Sequence, residues 1–240
     1  MPPLPARVSA LLESIAHTGA LVDTRVAIPG GETTVGVMRP ADTDRLLDLS
    51  ASDPEQNLPY WAEIWPSGIA LAGATAARPE RVRGRRVLEL GCGVGVTAAV
   101  ALASGARLTV TDYAPEALVL TRVTCLRHTG REPERCERLN WRDPAALRAV
   151  TGDEPFEVVL GADLLYERRD IVPLLAALDV LIAPGGALWL AEPGRPPAIE
   201  FLEALKRGGW RDDATRWEGP WSDPDDVGVA VESHWLRRMP

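Results

Sequence analysis

Three glycines at alternate positions, with an acid just ahead of them, carry the strongest chemical signal in this sequence. Residues 87–95 read Val-Leu-Glu-Leu-Gly-Cys-Gly-Val-Gly, an apolar run containing Glu89 that opens into Gly91, Gly93 and Gly95. Val94, Val96 and the alanine-rich residues behind them read as a helix. A buried strand, a glycine turn and a helix N-terminus form a seat where a nucleotide-like ligand lies against bare backbone. A Cβ at those glycines would strike the ligand or forbid the dihedrals. Cys92 falls inside the turn, and the contact expected from it is through its backbone.

The type of ligand follows from charge and spacing. The dinucleotide fingerprint, Gly-x-Gly-x-x-Gly/Ala, would put a small residue at position 96. The sequence has Val96 there, and its third glycine comes one place early. Pyrophosphate is an anion, so Glu89 at the mouth of the turn disfavours it. An acid suits a ligand that is cationic or rich in donors, such as S-adenosylmethionine, with its sulfonium, ammonium and ribose hydroxyls. A nicotinamide or flavin site, or a turn that merely packs helix on strand, stays open at this point. The next strand, 106–112, ends on Asp112, 21 residues after Gly91. A carboxylate placed there can accept both ribose hydroxyls, each bond worth roughly 1.5–3 kcal/mol. Dehydrogenases share this feature, so Asp112 supports adenosine without separating the cofactors. It could equally cap the helix that begins at Ala114-Pro115-Glu116.

The elements that position these residues alternate. Strands are expected at 86–91, 106–112, 134–140, 156–162 and 186–191, and helices at 95–103, 115–128, 144–150, 168–182 and 197–207. Such alternation means crossover connections and a parallel sheet covered on both faces. Two late strands, around 210–218 and 227–237, have no helix between them and are expected as an antiparallel pair at the sheet edge. The fold class is therefore α/β, a Rossmann-like doubly wound sheet of seven strands. Ahead of it, Val8, Leu11, Leu12 and Ile15 at i, i+3, i+4, i+7 mark a helix ending near Gly19. Strands at 21–28 and 32–39 around Pro29-Gly30-Gly31 read as a hairpin. A polar stretch, 50–57, leads into Leu58-Pro59-Tyr60-Trp61 and a helix over 67–78. The expected division is an N-terminal extension, 1–57, and a main domain, 58–240.

Composition bounds the rest. The 240 residues carry a net charge of −8, and of 26 basic residues all but Lys206 are arginine. An acidic chain without a basic cluster argues against nucleic acid as a partner. Cys92, Cys125 and Cys136 are odd in number and lack metal-ligand spacing, which suggests free thiols in a reducing, cytoplasmic setting. No metal site is expected. His17, His128 and His234 show no partner pattern and are expected as solvent or packing residues. A secretory signal pattern and a membrane-length apolar run are both lacking.

Three further segments point to the mouth of the glycine turn. Residues 156–166 form a strand running out into Asp-x-x-Tyr; ligands bind at the carboxyl ends of parallel strands, so Ala162, Asp163 and Tyr166 should face Gly91 and Asp112. Leu139-Asn140-Trp141 closes the third strand, and Tyr60 to Gly68 precedes the sheet. By residue type alone, Trp65 and Trp141 could be packing, Asp163 a helix cap and Tyr166 a locally bonded phenol. With the glycine motif, these segments resemble the Asp-x-x-Tyr group of class I (seven-strand) S-adenosylmethionine-dependent protein-lysine methyltransferases, over about residues 58–200. Pro59-Tyr60-Trp61, Trp65-Pro66 and Glu192-Pro193-Gly194-Arg195-Pro196 most resemble the electron-transfer-flavoprotein β-subunit lysine methyltransferases.

The resemblance implies roles. Gly91, Cys92 and Gly93 would serve the methionine end of S-adenosylmethionine through their backbone, Asp112 the ribose, Asn140 and Trp141 the adenine, with Glu89 also counted among the cofactor-binding residues for its charge. Ala162 would line the pocket and Trp65 close over it. Asp163 and Tyr166 would be the catalytic pair, Asp163 orienting the incoming amine and Tyr166 shaping its slot. S-Adenosylhomocysteine would be the product, and the acceptor a protein such as an electron-transfer-flavoprotein β subunit. Asn140 stands where relatives often carry an acid or Thr, and Glu192 where flavoprotein-type relatives tend to carry Asp. A small-molecule methyltransferase with the same pocket, and a non-catalytic cofactor-binding module, are the alternative functions.

Overall fold

A computed structural model describes residues 4–42, 45–47 and 58–238. The polar stretch 50–57 lies outside the described residues. The main sheet is built from β3 (Arg86–Leu90), β4 (Arg107–Asp112), β5 (Arg135–Arg138), β6 (Phe156–Ala162), β7 (Ile182–Glu192), β8 (Trp210–Trp217) and β9 (Val231–Arg238). Its order is β5-β4-β3-β6-β7-β9-β8. β3 to β7 run parallel, and β9 is antiparallel to both β7 and β8. This is the seven-strand layout expected from the sequence, with the reversed pair at one edge.

Period-2 alternation divides the core in two. Val87, Leu108, Val110, Val158 and Leu160 face one layer, formed by α2 (Pro66–Ala77), α3 (Val96–Ala103) and α4 (Pro115–Thr129). Leu88, Leu90, Val159, Leu188 and Leu190 face the other, formed by α5 (Pro144–Thr151), α6 (Ile171–Leu181) and α7 (Pro196–Arg207). Both faces of the central strands are dry, as a parallel sheet requires. Local signals set the helix ends. α4 has Pro115 in its first turn with Glu116, Arg127 and His128 in its last turn, and Gly130 in the left-handed region just beyond; each matches the geometry or dipole at that position.

Some boundaries differ from expectation. The helix expected over 168–182 is a 3₁₀ turn, Arg168–Asp170, followed by α6, and β7 begins at Ile182 instead of 186. Pro184 and Gly185, at φ 76°, cannot continue a helix, and the chain joins β6 early through a register shift between Phe156 and Val158. β9 starts at Val231, because Pro224–Asp226 form a 3₁₀ turn and Gly228 has φ 88°.

The N-terminal segment is helix α1 (Leu4–Ser14) followed by a 3₁₀ turn, Ala16–Thr18, and the hairpin β1 (Leu21–Ala27) and β2 (Thr34–Pro40). Val26, Ile28, Val35 and Val37 are buried in the same core layer as α2 to α4. Arg127 on α4 donates to both oxygens of Asp23 at 3.1 and 2.6 Å, and Arg39 on β2 donates to Glu63 at 3.0 Å. The hairpin turn sits against α2. A Cβ on Gly73 would lie 2.8 Å from Pro29 Cγ and 3.0 Å from the Pro29 carbonyl oxygen.

That approach can be tested. Gly73→Ala gains about 1 kcal/mol of helix propensity but overpacks a backbone contact at a cost of roughly 1–3 kcal/mol. A net loss of stability is expected, read as a lower urea midpoint; a raised midpoint would show that the hairpin does not bear on α2.

Candidate active site

The turn after β3 is fixed by hydrogen bonds to its neighbours. Cys92 N–H donates to the Thr111 carbonyl at 3.0 Å and Gly95 N–H to the Cys92 carbonyl at 2.9 Å. On α4, Thr121 and Thr124 donate their hydroxyls to the carbonyls of Gly93 and Val94 at 2.9 and 2.8 Å. Gly91 has φ 61°, and a Cβ there would meet Leu164 Cδ2 at 2.9 Å; Gly95 has φ 86°, and its Cβ would meet the Thr121 Cα at 2.7 Å. Gly95 thus has the dihedral that excludes a Cβ, as expected, and it also serves the packing of α4 against the turn.

Asp112 closes this turn. Its Oδ2 accepts from Gly93 N–H at 2.9 Å and its Oδ1 from Ala114 N–H at 3.0 Å. Turn-capping and a site-facing role coexist in one carboxylate, since each oxygen keeps a second lone pair. Leu139 N–H donates to the Asp112 carbonyl at 2.9 Å and so brings the end of β5 alongside. There Asn140 Oδ1 accepts from Arg142 N–H at 3.0 Å, while Trp141 donates its indole N–H to the buried Asp170 at 3.4 Å. Asp170 also takes the Arg142 guanidinium at 2.5 Å. The Trp141 ring is thus oriented from behind by a carboxylate.

An open cleft gathers the expected residues: Glu89, Gly91, Cys92 and Gly93, Asp112, Asn140 and Trp141, Ala162, Asp163 and Tyr166, with Trp65 on the near side. Trp65 is held by its indole N–H, which donates to the Tyr60 carbonyl at 2.8 Å. Tyr60 stacks edge-on against both Trp65 and Tyr166, with centroids 5.9 and 5.0 Å apart. The sequence placed Tyr60 in an aromatic segment but gave no sign that it bridges these two rings.

Asp163 sits at the end of β6 with φ 51°, the one non-glycine residue in the left-handed region among those described. Its N–H donates to the Ala191 carbonyl at 2.9 Å. Its carboxylate accepts from Arg195 Nε at 2.7 Å and Nη2 at 3.0 Å. In the sequence Arg195 stands out only as part of a Pro-Gly-Arg-Pro stretch; its partner lies 32 residues away. Behind Arg195, Glu192 Oε2 accepts the N–H groups of Gly194 and Arg195 at 2.6 and 3.2 Å. His234 is not the solvent or packing residue expected. It is 3% exposed, its Nδ1 lies 2.9 Å from Asp212, and its Nε2 is 3.7 Å from Glu192. Burial disfavours its charge, but the Asp212 hydrogen bond and the negative charges of Asp212 and Glu192 prevail and hold it up at about 9.

Electrostatics select the ligand class. Glu89 is 3% exposed and its Oε2 has no hydrogen-bond partner. Burial first, and Asp112 second, push its carboxyl well above the ordinary range. Burial likewise pushes Asp112 up to about 6, against the N–H groups that favour its charge. Along the cleft wall Arg142 is the one basic side chain among the described residues, and it belongs to Asp170. A pyrophosphate would meet two acids and no cation at the turn. A cationic, hydroxyl-bearing ligand fits, because its charge would relieve Glu89 and its hydroxyls would find Asp112. Cys92 is pushed up by burial and by the same two acids, so it stays a thiol.

A family model described as "Lysine methyltransferase" matches residues 48–207. The electron transfer flavoprotein beta subunit lysine methyltransferase of Xenopus laevis is 34% identical over 155 residues, 61% of this chain and 59% of the frog protein. The protein N-terminal and lysine N-methyltransferase EFM7 of Eremothecium gossypii is 30% identical over 202 residues, 74% of this chain and 76% of that protein. The match to the Danio rerio flavoprotein methyltransferase is shorter, 47% identical over 68 residues and 26% of its length. The chain thus spans between about a quarter and three quarters of these curated relatives. Among solved structures, N-methyltransferase NodS from Bradyrhizobium japonicum, in complex with S-adenosyl-L-homocysteine, shares the fold with TM-score 0.55 at 17% identity, over 82% of this chain and 99% of that one.

The isolated Glu89 carboxylate yields a test. An acid whose folded pKa is raised destabilises the fold as pH climbs from its unfolded value, about 4.5, toward the folded one. Glu89→Gln should therefore melt at a higher temperature than the parent at pH 8 and at the same temperature at pH 4. Equal melting temperatures at pH 8 would show that the carboxyl is not held against its charge.

Proposed function

The chain belongs to the lysine methyltransferase family, and we propose that it moves a methyl group from S-adenosylmethionine to the side-chain amine of a lysine in an acceptor protein. The observation that most supports this reading is Glu89, a buried carboxylate with an unpartnered oxygen in a cleft whose neighbouring turn is closed by a second acid. In this reading Gly91, Cys92 and Gly93 hold the methionine end beside Glu89. Asp112 takes the ribose hydroxyls, Asn140 and Trp141 flank the adenine, Ala162 lines the floor, and Trp65 closes the near wall. Residues 58–240 form the catalytic unit and 1–57 an extension of it.

When bound, S-adenosylmethionine would supply a methyl on its sulfonium for the amine lone pair, the new N–C bond replacing the C–S bond and S-adenosylhomocysteine being the leaving group. The proton that the amine sheds beforehand passes to solvent. A lysine with pKa near 10.4 is neutral only about once in 10³ at pH 7.4, a handicap of roughly 4 kcal/mol. Tyr166 does not take that proton. Burial, and then Asp170, Glu167 and Asp112, push its phenol up to about 12; it keeps its hydrogen and acts as a wall and donor. Asp163 orients the amine, and the rings of Tyr60, Trp65 and Tyr166 line its slot. Alignment of nucleophile, methyl and leaving sulfur is the main contribution of the protein, and such positioning can supply roughly 7–11 kcal/mol.

Relatives named for the electron-transfer-flavoprotein β subunit support an acceptor of that kind. The cysteines are free thiols, which supports a reducing, cytoplasmic setting. Among the described residues no helix is long and apolar enough to cross a membrane.

Incubation with labelled S-adenosylmethionine and a whole lysate should put label on a protein band. Label on a small molecule would make the acceptor a metabolite, and no transfer would leave a binding module. Asp163→Asn should slow transfer to that band while keeping cofactor affinity; normal turnover would remove Asp163 from the amine site.

Asp112→Ala should weaken S-adenosylhomocysteine binding by about 2–4 kcal/mol through loss of both ribose bonds. In the parent protein the affinity should fall as pH drops through about 6, where Asp112 gains a proton and loses acceptor strength. Calorimetry across pH 5–8 reads both; an affinity independent of pH and of Asp112 would move the ribose elsewhere.

A further inference from the structure

The wall at the amine end of the cofactor cleft is an ion pair. Asp163 and Trp65 line both that cleft and a second one beside it, and Arg195 lines the second. The guanidinium engages both oxygens of Asp163 at 2.7 and 3.0 Å and stands 5.9 Å from the centre of the Trp65 ring. Both partners are held from behind. The Asp163 side chain is 8% exposed, on a backbone pinned to β7 by its N–H, and Glu192 fixes the loop from which Arg195 reaches.

This pairing changes what Asp163 can do. A lone carboxylate beside an amine favours the ammonium form, which has no lone pair with which to attack. A carboxylate with both oxygens engaged by a permanently charged fork has its negative charge already matched. We infer that Arg195 is a specificity-determining residue: by neutralising Asp163, it makes the amine site select a neutral amine over an ammonium. The inference rests on the cleft being the methyl-transfer site proposed above.

The other groups around the pair leave that balance standing. Tyr60 and Tyr166 present phenols from the aromatic segment and from the loop that carries Asp163. Glu192 spends its charge on two backbone N–H groups and on His234, which Asp212 and Glu232 also face. In the second cleft Lys206 pairs with Asp212 at 3.4 Å, Arg216 with Glu218 at 3.0 Å, and Glu203 with Arg207 at 3.7 Å. Asp226 lines that cleft as well, its carboxyl raised by burial and by Asp223 and Asp225. Across the cofactor cleft, Glu89 and Asp112 face the cofactor end, and Asp170 behind Tyr166 is matched by Arg142. Among the described residues, Arg195 is the cation seated on Asp163.

The test uses n-butylamine, a lysine side chain without its backbone, titrated by NMR into the full chain saturated with S-adenosylhomocysteine between about pH 7 and 9.5. For the parent protein, affinity should rise with pH, following the neutral fraction of the amine. Arg195→Gln should bind the ammonium form at pH 7 roughly tenfold tighter, the counterpart of a one-unit shift from an opposite charge, and lose the rise. Arg195→Lys, which keeps the charge, should restore the parent trend. Asp163→Asn, which leaves the guanidinium unmatched, should keep the rise with pH that Arg195→Gln loses; a lost rise in Asp163→Asn would overturn the inference, and this variant decides the matter if Arg195→Gln fails to bind S-adenosylhomocysteine as the parent does. Parent-like pH dependence in Arg195→Gln, or indistinguishable behaviour of the Gln and Lys variants, would overturn the inference. Because n-butylamine binding needs no acceptor protein, the lysate assay can fail without touching this result, and the reverse also holds.

Discussion

The hydrogen bond from Gly93 N–H to Asp112 ties the turn after β3 to the end of β4, and the shape of the cleft above the turn depends on it. A glycine turn with three left-handed residues has little to hold it in place. Here it is clamped from one side by a carboxylate and from the other by the Thr121 and Thr124 hydroxyls of α4. The clamp keeps the turn open toward the carboxyl ends of the strands. The same carboxylate takes the Ala114 N–H, so the start of α4 and the shape of the turn are set together.

That arrangement has an electrostatic cost. Two acids, Glu89 and Asp112, are buried within one cleft, and both are held above their ordinary carboxyl range. A fold optimised for stability alone would not keep them. In the function proposed above they form a field for positive charge and for hydroxyl donors, with the stability loss accepted at that site. The opposite end of the cleft is built on another balance. Asp163 is engaged by Arg195, Tyr60 packs edge-on against both Trp65 and Tyr166, and the loop carrying Arg195 is held by Glu192, which faces the buried His234. One end attracts charge and the other matches it.

The sheet edge and the N-terminal hairpin support this site from outside. β9, wedged antiparallel between β7 and β8, brings His234 under the β7 terminus. The hairpin covers α3 and α4 and reaches the aromatic segment through the Arg39–Glu63 pair. Elements distant in the chain thus bear on the rim that holds Trp65.

By itself the sequence determined the alternating strands and helices, the reversed pair at the edge, and the residues gathered at the strand ends. It could do so because these are local properties: apolar period, glycine dihedrals, proline at helix starts, and the distance from Gly91 to Asp112. Residue type and order also carried the family resemblance. Only the tertiary structure decided which side chains meet. Arg195 on Asp163, Tyr60 between Trp65 and Tyr166, Asp170 behind Trp141 and His234 against Glu192 join segments far apart in the chain, and no local pattern encodes a contact of that kind. The reason for Gly95 likewise became visible only when α4 was seen 2.7 Å from where its Cβ would stand. Periodicity shows which face of an element is buried; what it is buried against depends on how the other elements pack around it.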